Sequence, residues 1–407
     1  MYSIFVQIAS YRDPELIPTL RSLIKNAKYP DELTICIAHQ YSESDKWDSL
    51  EEFKNDARFI VIEIPHTESR GTCWARNQIQ RHYNNQHFTL QLDSHHRFVK
   101  NWDVKCCDMF FRLRSKGVAR PLITSYLPSY DPKNDPKHRT KTPWGMSFDR
   151  FTPDGIALFL PYYIKKNTKQ PIPARFYSGH FAFTIGAFCR EVPHDPLLYF
   201  HGEEISIAVR AYTWGYELFH PNKIIAWHEY TREGRTKHWQ DNLEWDKLDQ
   251  SSKTRVKTLL KIDDQKCTPC AKRAMKGYDL GPMKSLSWYQ DFAGINFKQR
   301  TVQQSTLDNK PPMFRTEVYH KVFRYKITIS SKQLKEDDYT FIAVIFEDEN
   351  NTQLYRKDIL PDQIKHWKGL KEIMIENEFM GKYPSNYVVW PYSASKGWTG
   401  QIKGLVK

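Results

Sequence analysis

Asp93-Ser94-His95 follows directly on an apolar run, Phe88-Thr89-Leu90-Gln91-Leu92, in a chain of 407 residues. A carboxylate and an imidazole at this spacing, at the end of a strand, can both reach one divalent cation. Such an ion can act as a Lewis acid and neutralise the two phosphates of a departing nucleoside diphosphate. Imidazole beside carboxylate suits Mn2+ or a similar first-row ion better than Mg2+, which favours oxygen alone. The triplet by itself reads equally as a solvated strand-end loop. A third ligand is on offer in Trp227-His228-Glu229-Tyr230, which again follows an apolar run, Ile224-Ile225-Ala226. Taken alone, His228 is as well explained as a packed histidine.

Two further segments carry reactive types. Gly202-Glu203-Glu204-Ile205 sets two carboxylates at the start of a helix, where the dipole favours acids. They read either as an ordinary acidic first turn or as the pair that meets sugar and acceptor hydroxyls, which makes Glu203 and Glu204 the candidate catalytic residues. Ser69-Arg70-Gly71-Thr72-Cys73-Trp74-Ala75-Arg76 places a glycine before a helix, and helix N-termini attract phosphate. Arg70 and Arg76 are then candidates for a pyrophosphate or base.

These residues need a scaffold that delivers them to one place. Apolar runs at 2–9, 33–38, 59–64 and 88–92 read as strands, and helices are expected at 16–27, 47–54 and 72–83. The βαβαβαβ alternation predicts a mostly parallel sheet with helices on both faces. Ligands of such sheets bind beyond the carboxyl ends of the strands. That points to Ser10 to Asp13, His39–Gln40, His66 to Gly71 and Asp93 to His96. Residues 121–180 read as loop-rich. A strand is expected at 181–188, a helix at 203–214 and a strand at 224–227; 236–262 is polar and helical. From about 313 short alternating segments suggest a small all-β region, so the expected division is 1–300, a linker at 301–312, and a β-rich domain at 313–407.

Composition narrows the classes. Hydrophobic residues make up 40% and charged residues 26%, an ordinary globular balance rather than a disordered one. The net charge of +13 favours phosphate-bearing or anionic partners. No helix-turn-helix, zinc-finger or RNP pattern converts it into nucleic-acid recognition. Seven cysteines, an odd number, do not make a disulfide framework. Cys267-Thr-Pro-Cys270 is a single CxxC, so free thiols are the expectation rather than structural zinc. No apolar run approaches the roughly 18 residues of a spanning helix, and the expectation is a cytoplasmic protein or one peripheral to a membrane.

The ordered series is more specific than its parts. Arg12-Asp13-Pro14-Glu15, Arg70-Gly71 with Ala75-Arg76, Asp93-Ser94-His95, Ser178-Gly179-His180, Val192-Pro193-His194-Asp195-Pro196, Gly202-Glu203-Glu204, Thr213-Trp214-Gly215-Tyr216 and His228-Glu229-Tyr230-Thr231-Arg232 occur in that order. Over about residues 1–235 this resembles the GlcNAc-transferase family whose cytosolic members modify hydroxyproline or threonine of proteins. It is more distantly similar to the polypeptide GalNAc-transferases. The resemblance implies an α/β, Rossmann-like GT-A fold with a C-terminal all-β domain. It also implies a UDP-sugar donor, UDP-GlcNAc first, a Mn2+ or Mg2+ cofactor, and a hydroxyl acceptor on a glycan or protein with retention at the anomeric carbon. On the matching positions it assigns the metal to Asp93, His95 and His228. Donor binding falls to Tyr11, Arg12, His39, Arg70, Gly71, Arg76, Asp93, Ser94, Gly179 and His180. His180 stands where relatives often carry a smaller or apolar turn residue, which leaves the hexose open. The C-terminal domain lies outside the resemblance; its aromatics could bind glycan or acceptor, support a homo-oligomer, or simply form its core.

Overall fold

The computed structural model describes residues 1–165, 168–231, 235–262, 275–312, 323–379 and 384–406. Cys267 and Cys270 lie outside them. Two units can be distinguished: Met1–Ser147 with Leu160–Ala293 and Pro311–Met313, and Phe148–Phe159 with Gly294–Lys310 and Phe314–Lys407.

The first unit is organised by β1 (Ile4–Tyr11), β2 (Leu33–Tyr41), β3 (Phe59–Pro65) and β4 (Phe88–Asp93), which run parallel in the order β3-β2-β1-β4. Their sequences are near-continuous apolar runs because both faces are covered. Ile4, Val6 and Ile8 of β1 face one core with Leu16, Leu20 and Leu23 of α1 (Leu16–Asn26), and the same core takes Trp102, Met109 and Leu113 of α3 (Trp102–Arg114). Phe5 faces the opposite way, packing with Ala75 and Ile79 of α2 (Thr72–Gln80). The period of two along β1 is thus split between two layers.

Beyond β4 the sheet departs from the parallel expectation. β10 (Phe181–Ile185) inserts antiparallel between β4 and β6 (Pro121–Thr124); β11 (Glu217–His220) pairs parallel with β6, and β9 (Ile172–Pro173) closes the edge antiparallel. The result is a mixed Rossmann-like sheet. The expected helix at 47–54 is only a 3-10 turn, Glu51–Phe53, because Leu50 and Phe53 alone are apolar and buried there and one turn seats both. Residues 121–180 are less irregular than expected. They contain a hairpin, β7 (Trp144–Phe151) and β8 (Ala157–Tyr163), whose Pro153-Asp154-Gly155 turn has Gly155 at φ +82°, a conformation glycine adopts without steric cost.

Two short strands serve the site. β5 (His96–Phe98) and β12 (Ala226–His228) pair antiparallel, setting His228 opposite His96. Helices α4 (Phe188–Glu191), α5 (Glu203–Thr213), α6 (His238–Asp241) and α7 (Trp245–Leu260) complete this part of the unit. Among the described residues no helix is long and apolar enough to cross a membrane.

The second unit is antiparallel β. β13 (Ile295–Asn296) pairs with β14 (Thr301–Val302), and β15 (Phe323–Ser330) with β18 (Glu372–Phe379). A further sheet runs β17 (Gln353–Ile359), β16 (Tyr339–Glu347), β19 (Asn386–Ser393), β20 (Gly397–Trp398), with β21 (Ile402–Leu405) also on β19. Alternate residues Ile342, Val344 and Phe346 of β16 enter one core with Ile327, Ile329, Ile373 and Ile375.

Candidate active site at the strand ends

The segment after β4 is fixed by α1. Thr19, buried within that helix, accepts from the His96 amide (2.7 Å) and donates to its carbonyl (3.1 Å), and Ser22 accepts from the Phe98 amide. His228 is held from both sides. It pairs with β5, while its own amide donates to the Pro128 carbonyl and its carbonyl accepts from the Tyr130 amide. Backbone hydrogen bonds therefore bring a residue from the end of β12 beside the end of β4, 135 positions away in sequence.

There the side chains of Asp93, His95 and His228 each present a ligand atom within 4.8 Å of the others. Asp93 Oδ2 lies 3.4 Å from His228 Nε2 and 3.6 Å from His95 Nε2. Asp13 orients His95: its Oδ2 accepts from His95 Nδ1 (2.7 Å), Ser94 Oγ (2.7 Å) and Arg235 (3.1 Å). With Nδ1 so engaged, Nε2 is left for a metal, the carboxylate–histidine arrangement common behind metal ligands. The charge states match. Burial alone would raise the Asp93 carboxyl, but His228 and Arg76 hold it well below the usual carboxylate range. Burial keeps His228 neutral, reinforced by His180 beside it. One carboxylate oxygen and two imidazole nitrogens form a donor set that fits a divalent first-row ion.

Arg76 links this cluster to α5. It donates to Asp93 Oδ1 at 2.6 Å and contacts Glu203, which also pairs with His194 at 3.0 Å. Burial works against the Glu203 anion, but Arg76 and His194 outweigh it and lower its pKa. Its neighbour Glu204 has no such cation. It accepts from Tyr126 Oη (2.7 Å) and the Gly179 amide (2.9 Å), yet burial still pushes it up to about 7. Gly179 is closely approached by the network: a Cβ would meet Arg76 Nη1 at 3.2 Å, tight enough that the guanidinium would have to shift slightly, and Glu203 at 3.4 Å. His180 stacks on His228 with ring centroids 4.1 Å apart and accepts from the Leu127 amide through Nε2; burial pushes it down to about 3.

A cleft of about 170 Å³ opens on this cluster, lined by Tyr11, Gly71, Asp93, Ser94, His95 and His228 among others. Gly71 caps α2 at φ +102°, where a Cβ would meet Tyr199 at 2.9 Å, so the helix N-terminus stays open to the cleft. Eight candidates from the sequence do not line it: Arg76, Gly179, His180, Glu203 and Glu204 lie in the network behind the cluster, and three lie farther off. Arg12 is held by Asp45 and Asp241, His39 lies between Asp48 and Glu63 in a separate groove, and Arg70 is exposed near Trp74. Asp13 is among the strand-end candidates; residues of the cleft and its network that the sequence did not assign to the site include Arg235, Tyr199, Lys237, His238 and Trp239 lining it, and Tyr126 and His194 behind it. His194 stood in a quoted motif. Lys237 lies over the Trp239 ring, 6.0 Å from its centroid, and has no carboxylate partner among the described residues, which puts a cation on the cleft wall.

A family model described as Glycosyltransferase (GlcNAc) matches residues 3–60 and 48–299. The chain belongs to this glycosyltransferase family. Sequence comparison with curated proteins gives no match. Among solved structures it is similar to GalNAc-T7 with UDP, GalNAc and Mn2+, at 14% identity and TM-score 0.46, covering 71% of this chain and 56% of that one. It is also similar to Staphylococcus aureus TarS 1-349 in complex with UDP-GlcNAc (12%, 0.41, 68% of this chain and 70% of that one). A third is the mannosyltransferase PcManGT from Pyrobaculum calidifontis with GDP-Man and Mn2+ (13%, 0.38, 68% of each). The chain thus spans little more than half the length of the first.

Proposed function

We propose that this protein is a metal-dependent transferase that moves a hexosamine, GlcNAc first, from a UDP-sugar to a hydroxyl of a glycan or protein. The observation that carries the reading is the Asp93–His95–His228 cluster at the carboxyl end of the sheet, oriented by Asp13 and opening on a cleft with a helix N-terminus and Lys237 on its wall. A divalent ion bound there supplies Lewis-acid neutralisation of the diphosphate. Thr72 at the α2 N-terminus, Lys237 and Arg235 offer donors and charge for the same phosphates. Tyr11 and Arg70 are assigned to the nucleotide, with Arg12 and His39 as the outer candidates. Gly179 and His180 are assigned to the donor sugar.

In the retaining course the acceptor hydroxyl attacks the anomeric carbon on the face the UDP leaves. The carbon–phosphate-oxygen bond breaks as the new carbon–oxygen bond forms, and the hydroxyl proton passes to the departing phosphate. Glu203, kept anionic by Arg76 and His194, is assigned to donor-sugar hydroxyls, and Glu204 to the acceptor hydroxyl. One observation favours a second course. A carboxyl pushed up to about 7, as Glu204 is, suits a general base, and a base on the opposite face would invert the anomer. NMR of the product linkage separates the two: an α linkage supports retention, a β linkage inversion.

The first test is UDP release from a panel of UDP-sugars with and without Mn2+, in wild type and His228→Ala. Metal-dependent turnover of one donor, lost in the variant, is expected. UDP binding without turnover for any donor, with acceptor extracts supplied, would instead identify a nucleotide-sugar-binding module on the same fold.

A further inference from the structure

The second unit contains a cavity of about 560 Å³ whose chemistry the transferase reading does not use. Asn377, on β18, lines it and is 3% exposed, yet among the described residues neither its Oδ1 nor its Nδ2 has a hydrogen-bond partner. Buried side-chain amides are rarely left so, because each loses its water without recompense. Three cations line the same cavity, of which Lys326 is paired with Glu376. Arg300 makes no ion pair among the described residues, and its backbone is held at φ +54°. Lys357 donates to the Glu376 carbonyl at 3.2 Å, and burial together with the nearby Arg300 charge depresses its pKa.

The acids on the cavity wall are already answered. Glu376 pairs with Lys326 at 2.6 Å and Asp149 with Arg150. Arg300 is left without an ion-pair partner among the described residues, and Lys357 has near it only Glu376, already paired with Lys326, beside an amide whose donor and acceptor are both unused among those residues. Apolar ring surface completes the lining: Phe148 and Phe151 pack edge to face with centroids 5.0 Å apart, and Tyr355 lies on the same wall. An amide able to donate and accept at once matches a vicinal diol, rings match the apolar face of a pyranose, and a guanidinium matches a carboxylate or phosphate.

We propose that this cavity is a binding site for an anionic saccharide unit, with hydroxyls on Asn377 and the carboxylate or phosphate on Arg300 and Lys357. The site is independent of the strand-end chemistry and is tested without transfer. Isothermal titration of the full chain uses three oligosaccharide probes of equal length: one containing glucuronate, one carrying a sugar phosphate, and a neutral one. At least one anionic probe is expected to bind, at least tenfold tighter than the neutral probe. Arg300→Ala is expected to raise that Kd at least tenfold, leaving the melting temperature and metal-dependent UDP release unchanged. Asn377→Ala is expected to weaken the anionic and neutral probes alike, and should it fail to fold, the Arg300 arm decides. Which anionic probe binds distinguishes a uronate from a phosphate-bearing glycan. Equal binding of the neutral probe, no binding of either anionic probe, or an unchanged Kd in Arg300→Ala would overturn the proposal.

Discussion

The strand-end cleft and the cavity of the β unit are both lined by charge, but they manage it in opposite ways. At the strand ends, protein answers protein: Asp13 takes His95, Ser94 and Arg235, and Arg76 bridges Asp93 and Glu203. In the cavity of the β unit, among the described residues Arg300 has no ion-pair partner and the Asn377 side chain has no hydrogen bond. Charged groups paired within the protein fix geometry, which is what ligands to a cation need before the cation arrives. An unsatisfied lining does not fix geometry; it raises affinity for whatever supplies the missing partners. The first pattern belongs to chemistry and the second to capture.

The largest effect should come from removing the ligand at the centre of the fixed network. Asp93→Ala is expected to lower UDP release by roughly 1,000-fold, because a Lewis-acid ion contributes several kcal/mol and each 1.36 kcal/mol is tenfold in rate. EDTA should do the same to wild type, with Mn2+ restoring it. A variant that keeps full turnover would remove Asp93 from the site. Asp13→Asn is the finer cut, since it spares all three proposed ligands and weakens the contacts that hold His95, Ser94 and Arg235. It should weaken apparent Mn2+ affinity by about 10–100-fold, read from a Mn2+ titration of UDP release; an unshifted titration would make Asp13 a turn residue only.

The neighbouring carboxylates test the network from within. Glu203 has two cationic or polar partners, whereas Glu204 relies on a phenol and an amide. The folded chain holds Glu204 at about 7, above its ordinary 4.5. Between those values the native state binds more protons than the unfolded one, so stability falls as pH rises through that window and is level above it. Glu204→Gln removes this term. Denaturant midpoints of wild type relative to the variant should decline from pH 4.5 to about 7, whereas parallel curves would mean that Glu204 titrates normally.

Much of this arrangement was legible in the sequence, and the illegible part has a physical reason. Asp93, His95 and His228 could be proposed because each closes or follows an apolar run, and strand ends of an α/β sheet converge. Arg235 could not be tied to Asp13, because nothing local signals a partner 222 positions away. The antiparallel insertion of β10 was equally hidden: Phe181-Ala182-Phe183-Thr184-Ile185 is an apolar run whichever way its neighbours point. The β7–β8 hairpin did carry a signal, Pro-Asp-Gly, within a segment otherwise read by its polarity. Arg12 and His39 sit at strand ends as expected, yet nearby acids hold them outside the cleft, and strand position alone does not register those acids.

The smallest effect probes the β unit where it has no ligand at all. Ile342 of β16 is fully buried, packed with Val344, Phe346 and Ile359. Ile342→Val deletes one methylene, and the lost transfer energy and small residual cavity together should cost about 0.5–1.5 kcal/mol. This is read from urea midpoints at constant slope. Metal-dependent UDP release should keep its kcat and KM, because the strand-end network draws its geometry from α1, β5 and β12. A stability loss in the expected range with unchanged kinetics would sharpen the division between chemistry and capture. A change in KM for the UDP-sugar would break it, since packing in the β unit would then be setting the geometry of the strand-end cleft.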